Sequence, residues 1–184
     1  MTTALLLIDL QNDYFPGGSM ELVGADAAVE RAQNLLQAFR GKGLAIFHAQ
    51  HIMKRSDAPF FRPGSVGSNI HDAVTPMPGE AVTTKHFPSC FRETTLLEQL
   101  KSIHVSTLII AGMMTHVCVD TTVRAAVDLG FEVVLAQDGC ATRALEFAGR
   151  CVEAEQVQLA YLASLNGFFA NVIPTQEIIA SLEA

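Results

Sequence analysis

The sequence predicts an α/β protein, a three-layer α/β/α arrangement around a six-stranded, mostly parallel sheet. Three observations carry that reading. Short, nearly continuous apolar runs recur along the chain, as strands buried on both faces require. Between them lie segments with the three-to-four-residue apolar spacing of amphipathic helices. No repeat, low-complexity tract or charged tail interrupts the alternation. The length of 184 residues fits one domain over 1–184, large enough to bury its own core.

Each element follows in order. "ALLLIDL" (4–10) reads as a buried strand. "GADAAVERAQNLLQAFRGKG" holds a helix over 25–40, with Gly41 and Gly43 as stop signals. "LAIFHAQH" (44–51) is a second strand, and a polar segment rich in Pro and Gly then runs over 52–80. A segment that long without periodicity is expected to act as a lid or a subunit contact. "AVTTKHF" (81–87) is a third strand and "RETTLLEQLKSIH" a helix. "STLIIAGMM" (106–114) is a fourth strand, followed by the helix "HVCVDTTVRAAVDLG", which Gly130 ends. "FEVVLAQDG" (131–139) is a fifth strand. "LEFAGRCVEAEQVQLAYLASLNG" reads as helical with a weak spot at Gly149, and "ANVIPT" is a last short strand. Alternating strands and helices imply right-handed crossovers and a parallel sheet covered on both faces. Ligands of such sheets sit beyond the carboxyl ends of the strands.

Composition removes several function classes. Hydrophobic residues make up 49% and charged residues 17%, which excludes a disordered chain. A net charge of −7 and a pI near 5.3 argue against a nucleic-acid or anionic-membrane partner. No apolar stretch approaches the roughly 20 residues of a membrane span. The start "MTTALLLIDLQND" lacks the basic lead of a signal peptide. Cys90, Cys118, Cys140 and Cys151 have no C-x-x-C spacing, and a chain of this size needs no disulfide framework. A cytoplasmic protein is expected. No glycine-rich phosphate-binding fingerprint follows a strand, so a nucleotide-binding module lacks support.

Several strands end in a polar residue that an apolar strand does not need. The first ends at Asp9, followed by Gln11, Asn12 and Asp13; the third ends at Lys85 and His86; the fourth runs into Thr115, His116 and Cys118; the fifth ends at Asp138. In a parallel sheet these lie along one edge. A carboxylate, an ammonium and a thiol in one crevice suit acyl transfer from a carbon–nitrogen bond to cysteine, followed by hydrolysis. The thiolate is the attacking species, and a helix N-terminus or an ammonium favours it. Asp9 can take the thiol proton and return it to a leaving amine. Backbone N–H groups in the turn before the helix can hold the oxyanion. Each residue also has a plainer role. Cys118 could be a small core residue, Asp9 a turn cap and Lys85 a solvated strand end. Their coincidence at three strand ends favours the chemical role. Cys140 is the nearest competitor as nucleophile.

"LLLIDLQNDYF", "TTKHFPSCF" and "LIIAGMMTHVCVDTTVRAAVDLGFEVVLAQDGCAT" together resemble the isochorismatase-like cysteine hydrolase superfamily, over nearly the whole chain. The superfamily includes nicotinamidases and N-carbamoylsarcosine amidohydrolase. The resemblance implies an Asp9–Lys85–Cys118 triad, with Asp9 moving the proton, Lys85 as electrostatic partner and Cys118 as nucleophile. It implies an oxyanion hole from the N–H groups of Met114 and Cys118, and a non-proline cis peptide at Met113–Met114. It also implies a homodimer or homotetramer. The expected activity is cofactor-independent hydrolysis of a small amide, ureido or lactam compound. Isochorismatases lack the cysteine, so Cys118 points away from their vinyl-ether cleavage. An isochorismate-like substrate, or a catalytically silent scaffold on the same fold, are the alternatives. Nicotinamidases bind a metal through an Asp-x-His pair. The matching stretch here, "FHAQHIMKR", has none, so no metal is expected. His48 and His51, three apart on a strand, face opposite sides and read as structural or surface residues.

Phe15, His86, Phe91 and His116 flank the triad motifs and are candidate substrate contacts. Phe60 and Phe61, with Arg62, sit between prolines in "APFFRPGS", as a lid or a subunit contact requires; they could equally pack the loop on its own domain. Arg143, Glu146 and Phe147 fall near the fifth strand's carboxyl end, as substrate or subunit contacts.

Overall fold

The computed structural model describes residues 2–183. The chain runs β1 (Thr2–Ile8), α1 (Ala25–Gly41), β2 (Ala45–His51), β3 (Ala81–Lys85), α2 (Leu96–Ser102), β4 (Val105–Met113), α3 (Asp120–Asp128) and β5 (Glu132–Ala141). It continues through β6 (Leu145–Phe147), β7 (Arg150–Val152), α4 (Ala154–Leu165), β8 (Asn171–Ile173) and α5 (Thr175–Glu183). Six strands form one parallel sheet in the order β3-β2-β1-β4-β5-β8. The chain starts in the middle, builds outward to β3, and returns to β4 on the other side of β1. That reversal makes the carboxyl ends of β1 and β4 the switch point, where open sheets hold ligands.

The apolar runs form central strands because both faces are covered. Ala4 to Ile8 and Leu108 to Ala111 are all buried. One face packs Leu5, Leu7, Ile109 and Ala111 under α1 and α5. α1 supplies Ala28, Val29, Ala32, Leu35, Leu36 and Phe39, a single stripe at helical spacing. The other face packs Leu6, Ile8, Phe47 and Ile110 against Leu96 and Leu100 of α2, Val123 and Ala126 of α3, and Leu165 of α4. β1 and β4 approach closely at Gly112, where φ is 146° and a side chain would run into the Ile8 carbonyl.

Three parts differ from the sequence reading. Residues 145–152 are a β-hairpin, not the start of a helix. Leu145 pairs with Val152 and Phe147 with Arg150 around a two-residue turn. Ala148 and Gly149 both have positive φ, 51° and 73°, as such turns demand. The helix after β4 begins as a π turn, Thr115–Val119, and becomes α-helical only at Asp120. The 52–80 segment is stitched to residues 10–13 of its own chain. Asn12 N–H donates to Asn69 O, His71 N–H to Leu10 O, and Phe61 N–H to the Asp13 carboxylate. Phe61 is fully buried, so it packs the loop inward and is not free to act as a lid.

Candidate active site

Strand register builds the site. Asp9 leaves β1 with φ 50° while its N–H still bonds Ala49 O at 3.0 Å. β2 ends on His51 and β3 on Lys85, and the two are register partners. Since β2 lies between β1 and β3, His51 stands between Asp9 and Lys85. Gln11, fully buried, clamps the end of β2. Its Oε1 accepts from His51 N–H at 2.7 Å, and its Nε2 donates to His51 O at 2.9 Å and Ser68 O at 2.8 Å. From β4, the Met113–Met114 peptide is cis and leads into the π turn that carries Cys118. The N–H groups of Val117 and Val119 both donate to Met114 O, at 3.1 and 3.2 Å. Thr115 Oγ1 donates to Ala141 O at 3.1 Å and ties this turn to the end of β5.

Asp9, Lys85 and Cys118 therefore converge, all buried. Lys85 Nζ lies 2.7 Å from Asp9 Oδ2. The contact is a direct ion pair, although its angle is outside that of a hydrogen bond, and neither Asp9 oxygen makes a hydrogen bond among the described residues. Lys85 also donates to Phe87 O at 3.1 Å, Pro88 O at 3.3 Å and His51 Nδ1 at 3.2 Å. Cys118 Sγ is 3.9 Å from His51 Nδ1.

Charges and burial set the protonation states. Burial opposes the Lys85 ammonium, but Asp9, with Cys118 and Cys90, outweighs it and raises the pKa. Burial and then Asp9 push the Cys118 thiol well up, against the opposing effect of Lys85. The resting cysteine is thus a neutral thiol. The expected thiolate is not favoured, because burial opposes a charge on the sulfur and the Asp9 carboxylate offsets the ammonium beside it. Burial, and next Lys85, lower His51 to about 4 in spite of Asp9, so the imidazole is neutral. Cys140, the competing nucleophile, is buried on β5 and pushed up to about 12, chiefly by burial. Asp9, His51 and Cys118 offer a carboxylate, a ring nitrogen and a sulfur within 4.8 Å of one another, a donor set for a thiophilic cation. The Lys85 ammonium already neutralises that carboxylate and would repel a divalent ion.

The other candidates scatter. Phe91, partly buried, stacks on Phe131 with centroids 6.1 Å apart and packs against the apolar cluster that includes Cys118. Phe15 lies on the His71 ring at 4.0 Å and, with Phe60, lines a cavity of about 660 Å³. Asp9, Lys85 and Cys118 are not among that cavity's walls. His86 is exposed and its Nδ1 donates to Ile52 O. His116 hydrogen-bonds the Thr142 hydroxyl. Phe61 reaches the cluster from behind, its ring 5.8 Å from His51. Arg143 and Glu146 are at the surface, and Phe147 is 84% exposed on the hairpin. Two residues of the site were missed. His51 read as structural or surface because strand order is not visible in sequence. Tyr14 is buried with its ring 4.7 Å from Phe61. Burial, then the Cys118 and Asp9 charges, raise its pKa well above the ordinary value. Its signal was its place in the same "QNDYF" as Phe15.

Comparison with known proteins adds four findings. The isochorismatase domain profile matches residues 3–177. The chain is 44% identical over 179 residues to the uncharacterised isochorismatase family protein YddQ of Bacillus subtilis, covering 97% of this chain and 99% of that one. A solved structure from Oleispira antarctica, assigned to the isochorismatase hydrolases, superposes with a TM-score of 0.93 at 47% identity, over 97% and 96% of the two chains. The maleamate amidohydrolase of Pseudomonas putida is 30% identical over 152 residues, 73% of this chain and 70% of that one. Among the described residues no helix is long and apolar enough to cross a membrane.

Proposed function

The chain belongs to the isochorismatase family of hydrolases, and from that premise we propose that it hydrolyses a carbon–nitrogen bond of a small amide, ureido or lactam compound through Cys118. The observation that carries this is the buried meeting of the Cys118 thiol with the Asp9–Lys85 ion pair, 2.7 Å across. A family relative that hydrolyses an amide, the maleamate enzyme, supports the bond class.

The steps follow from the protonation states. Cys118 rests as a thiol, so it loses its proton to Asp9 as Sγ attacks the carbonyl carbon. The carbonyl electrons move to oxygen, and the N–H groups of Met114 and Cys118 hold the oxyanion. Collapse breaks the C–N bond, and Asp9 returns the proton to the departing nitrogen. Water then attacks the thioester, gives a proton to Asp9, and the acid leaves as the thiol reforms. Lys85 pairs with Asp9 at 2.7 Å and anchors it against the ends of β2 and β3.

A panel of small primary amides, ureido acids and lactams tests the proposal. For any compound turned over, Cys118→Ala is expected to lower kcat by at least about a thousandfold and Lys85→Ala by about a hundredfold. Protein quenched during turnover is expected to carry the acyl mass on the peptide containing Cys118. Turnover surviving in Cys118→Ala would move the chemistry elsewhere.

A further inference from the structure

The scheme above leaves one buried residue of the cluster without a task. His51 Nδ1 faces three groups: Lys85 Nζ at 3.2 Å, Cys118 Sγ at 3.9 Å and Asp9 Oδ2 at 3.9 Å. An ammonium has protons to give and no lone pair. The ring nitrogen that faces it must therefore present its own lone pair. A neutral imidazole has one donor and one acceptor nitrogen, so the proton lies on Nε2. The groups around the ring agree: burial and the charges of Lys85 and His86 disfavour a second cation and outweigh Asp9 and the His86 backbone, which favour one. Gln11 also fixes the His51 backbone through its N–H and C=O, and the Phe61 ring lies 5.8 Å from the imidazole. Yet Nε2 is buried and has no hydrogen-bond partner among the described residues. A buried N–H without a partner is costly, and sites built to recognise a ligand are where such donors occur.

We propose that His51 is a substrate-binding residue, fixed by Lys85 as the Nε2–H tautomer, whose N–H donates to an acceptor oxygen of the substrate. This rests on the hydrolase reading above and narrows its substrate class. Nδ1 is 3.9 Å from the nucleophilic sulfur, and Nε2 is on the same small ring. The acceptor therefore belongs to a carbonyl or carboxylate close to the scissile amide. Monoamides of short dicarboxylic acids and ureido acids fit this; simple alkyl amides leave the donor unpaired and are poorer substrates.

The tautomer is read directly by nitrogen NMR of the whole protein labelled with ¹⁵N-histidine, with the His51 signals assigned by their loss in His51→Phe. The expected result is a neutral Nε2–H ring at pH 7. An Nδ1–H tautomer or an imidazolium at pH 7 overturns the proposal. Kinetics supply the second readout, on whichever panel compound the wild type hydrolyses fastest. His51→Phe is expected to raise KM about tenfold while kcat stays within about threefold. His51→Gln, whose amide NH₂ can stand where Nε2–H was, is expected to recover most of that loss. A fall in kcat at unchanged KM would mean that His51 acts through Lys85 and not on the substrate, and would overturn the proposal. If His51→Phe fails to fold, His51→Gln supplies the assignment and the wild-type tautomer still decides. Turnover surviving in Cys118→Ala would sink the hydrolase mechanism and leave the tautomer untouched, so the two failures are distinguishable.

Discussion

At the scale of single residues, the reactivity of Cys118 is set by a contest between neighbours of opposite charge. Burial and Asp9 raise its pKa and Lys85 lowers it. Removing the carboxylate leaves the ammonium unopposed, so Asp9→Asn should increase the thiolate fraction. Alkylation of Cys118 by iodoacetamide at pH 7 is expected to quicken about tenfold or more in Asp9→Asn, even as turnover is lost. A slower reaction, followed by mapping the labelled peptide, would show that Asp9 does not govern the thiol. Asp9, Lys85 and Cys118 were legible because a polar residue closing an apolar strand breaks a local pattern. His51 was not, because a histidine inside "FHAQH" breaks none; its meaning came from the strands on either side. Phe91 stood out by adjacency in sequence, and its ring stacks on Phe131 against the apolar cluster that includes Cys118.

At the scale of elements, the site depends on how closely β1 and β4 can approach. Gly112 permits it, with a backbone conformation that other residues rarely adopt and no room for a Cβ. Gly112→Ala is expected to destabilise the fold by about 3 kcal/mol or more, lowering Tm by roughly 6–12 °C in thermal melts. An unchanged Tm would mean that β1 and β4 shift apart at little cost. The core strands and α1 were readable within a residue or two, since their periodicity repeats over several turns or over a whole buried run. The hairpin at 145–152 was not. It is short, its side chains are exposed, and the burial that would print an alternating pattern on the sequence is absent. The π turn at Cys118 was equally silent, because its residues satisfy helical spacing while its hydrogen bonds converge on Met114 O.

For the whole molecule, a second, partly buried charged group on the opposite face of β2 joins three segments of the chain. Glu80 accepts from Arg40 Nε and Nη2 at 2.7 and 2.9 Å, from Met77 N–H at 2.9 Å, and pairs with His48 Nε2 at 2.9 Å. Burial alone would raise its carboxyl; the Arg40 hydrogen bonds, Met77 N–H and His48 outweigh that and lower it to about 2, against 4.5 for a free side chain. A lowered carboxyl pKa gives stability that is complete above the unfolded value and lost as pH falls through the folded one. Glu80 should therefore contribute on the order of 3 kcal/mol at neutral pH, lost between about 4.5 and 2. His51 adds an earlier decline: its pKa falls from 6.5 to about 4 on folding, so its stabilising share is lost as pH drops across that interval. Tm measured against pH should fall from pH 6.5 downward, and Glu80→Gln should lower Tm at pH 7 and flatten the limb below 4.5. A variant with the wild-type acid limb would locate the linkage in other carboxylates. The sequence by itself determined the fold class, the order of strands and helices, and which strand ends carry a carboxylate, an ammonium and a thiol. These are local matters of periodicity and of polar residues closing apolar runs. Only the tertiary structure decided that β2 lies between β1 and β3, that His51 therefore enters the cluster, and that the thiol rests protonated. Strand order and pKa are sums over neighbours far apart in the chain, and no local pattern contains them.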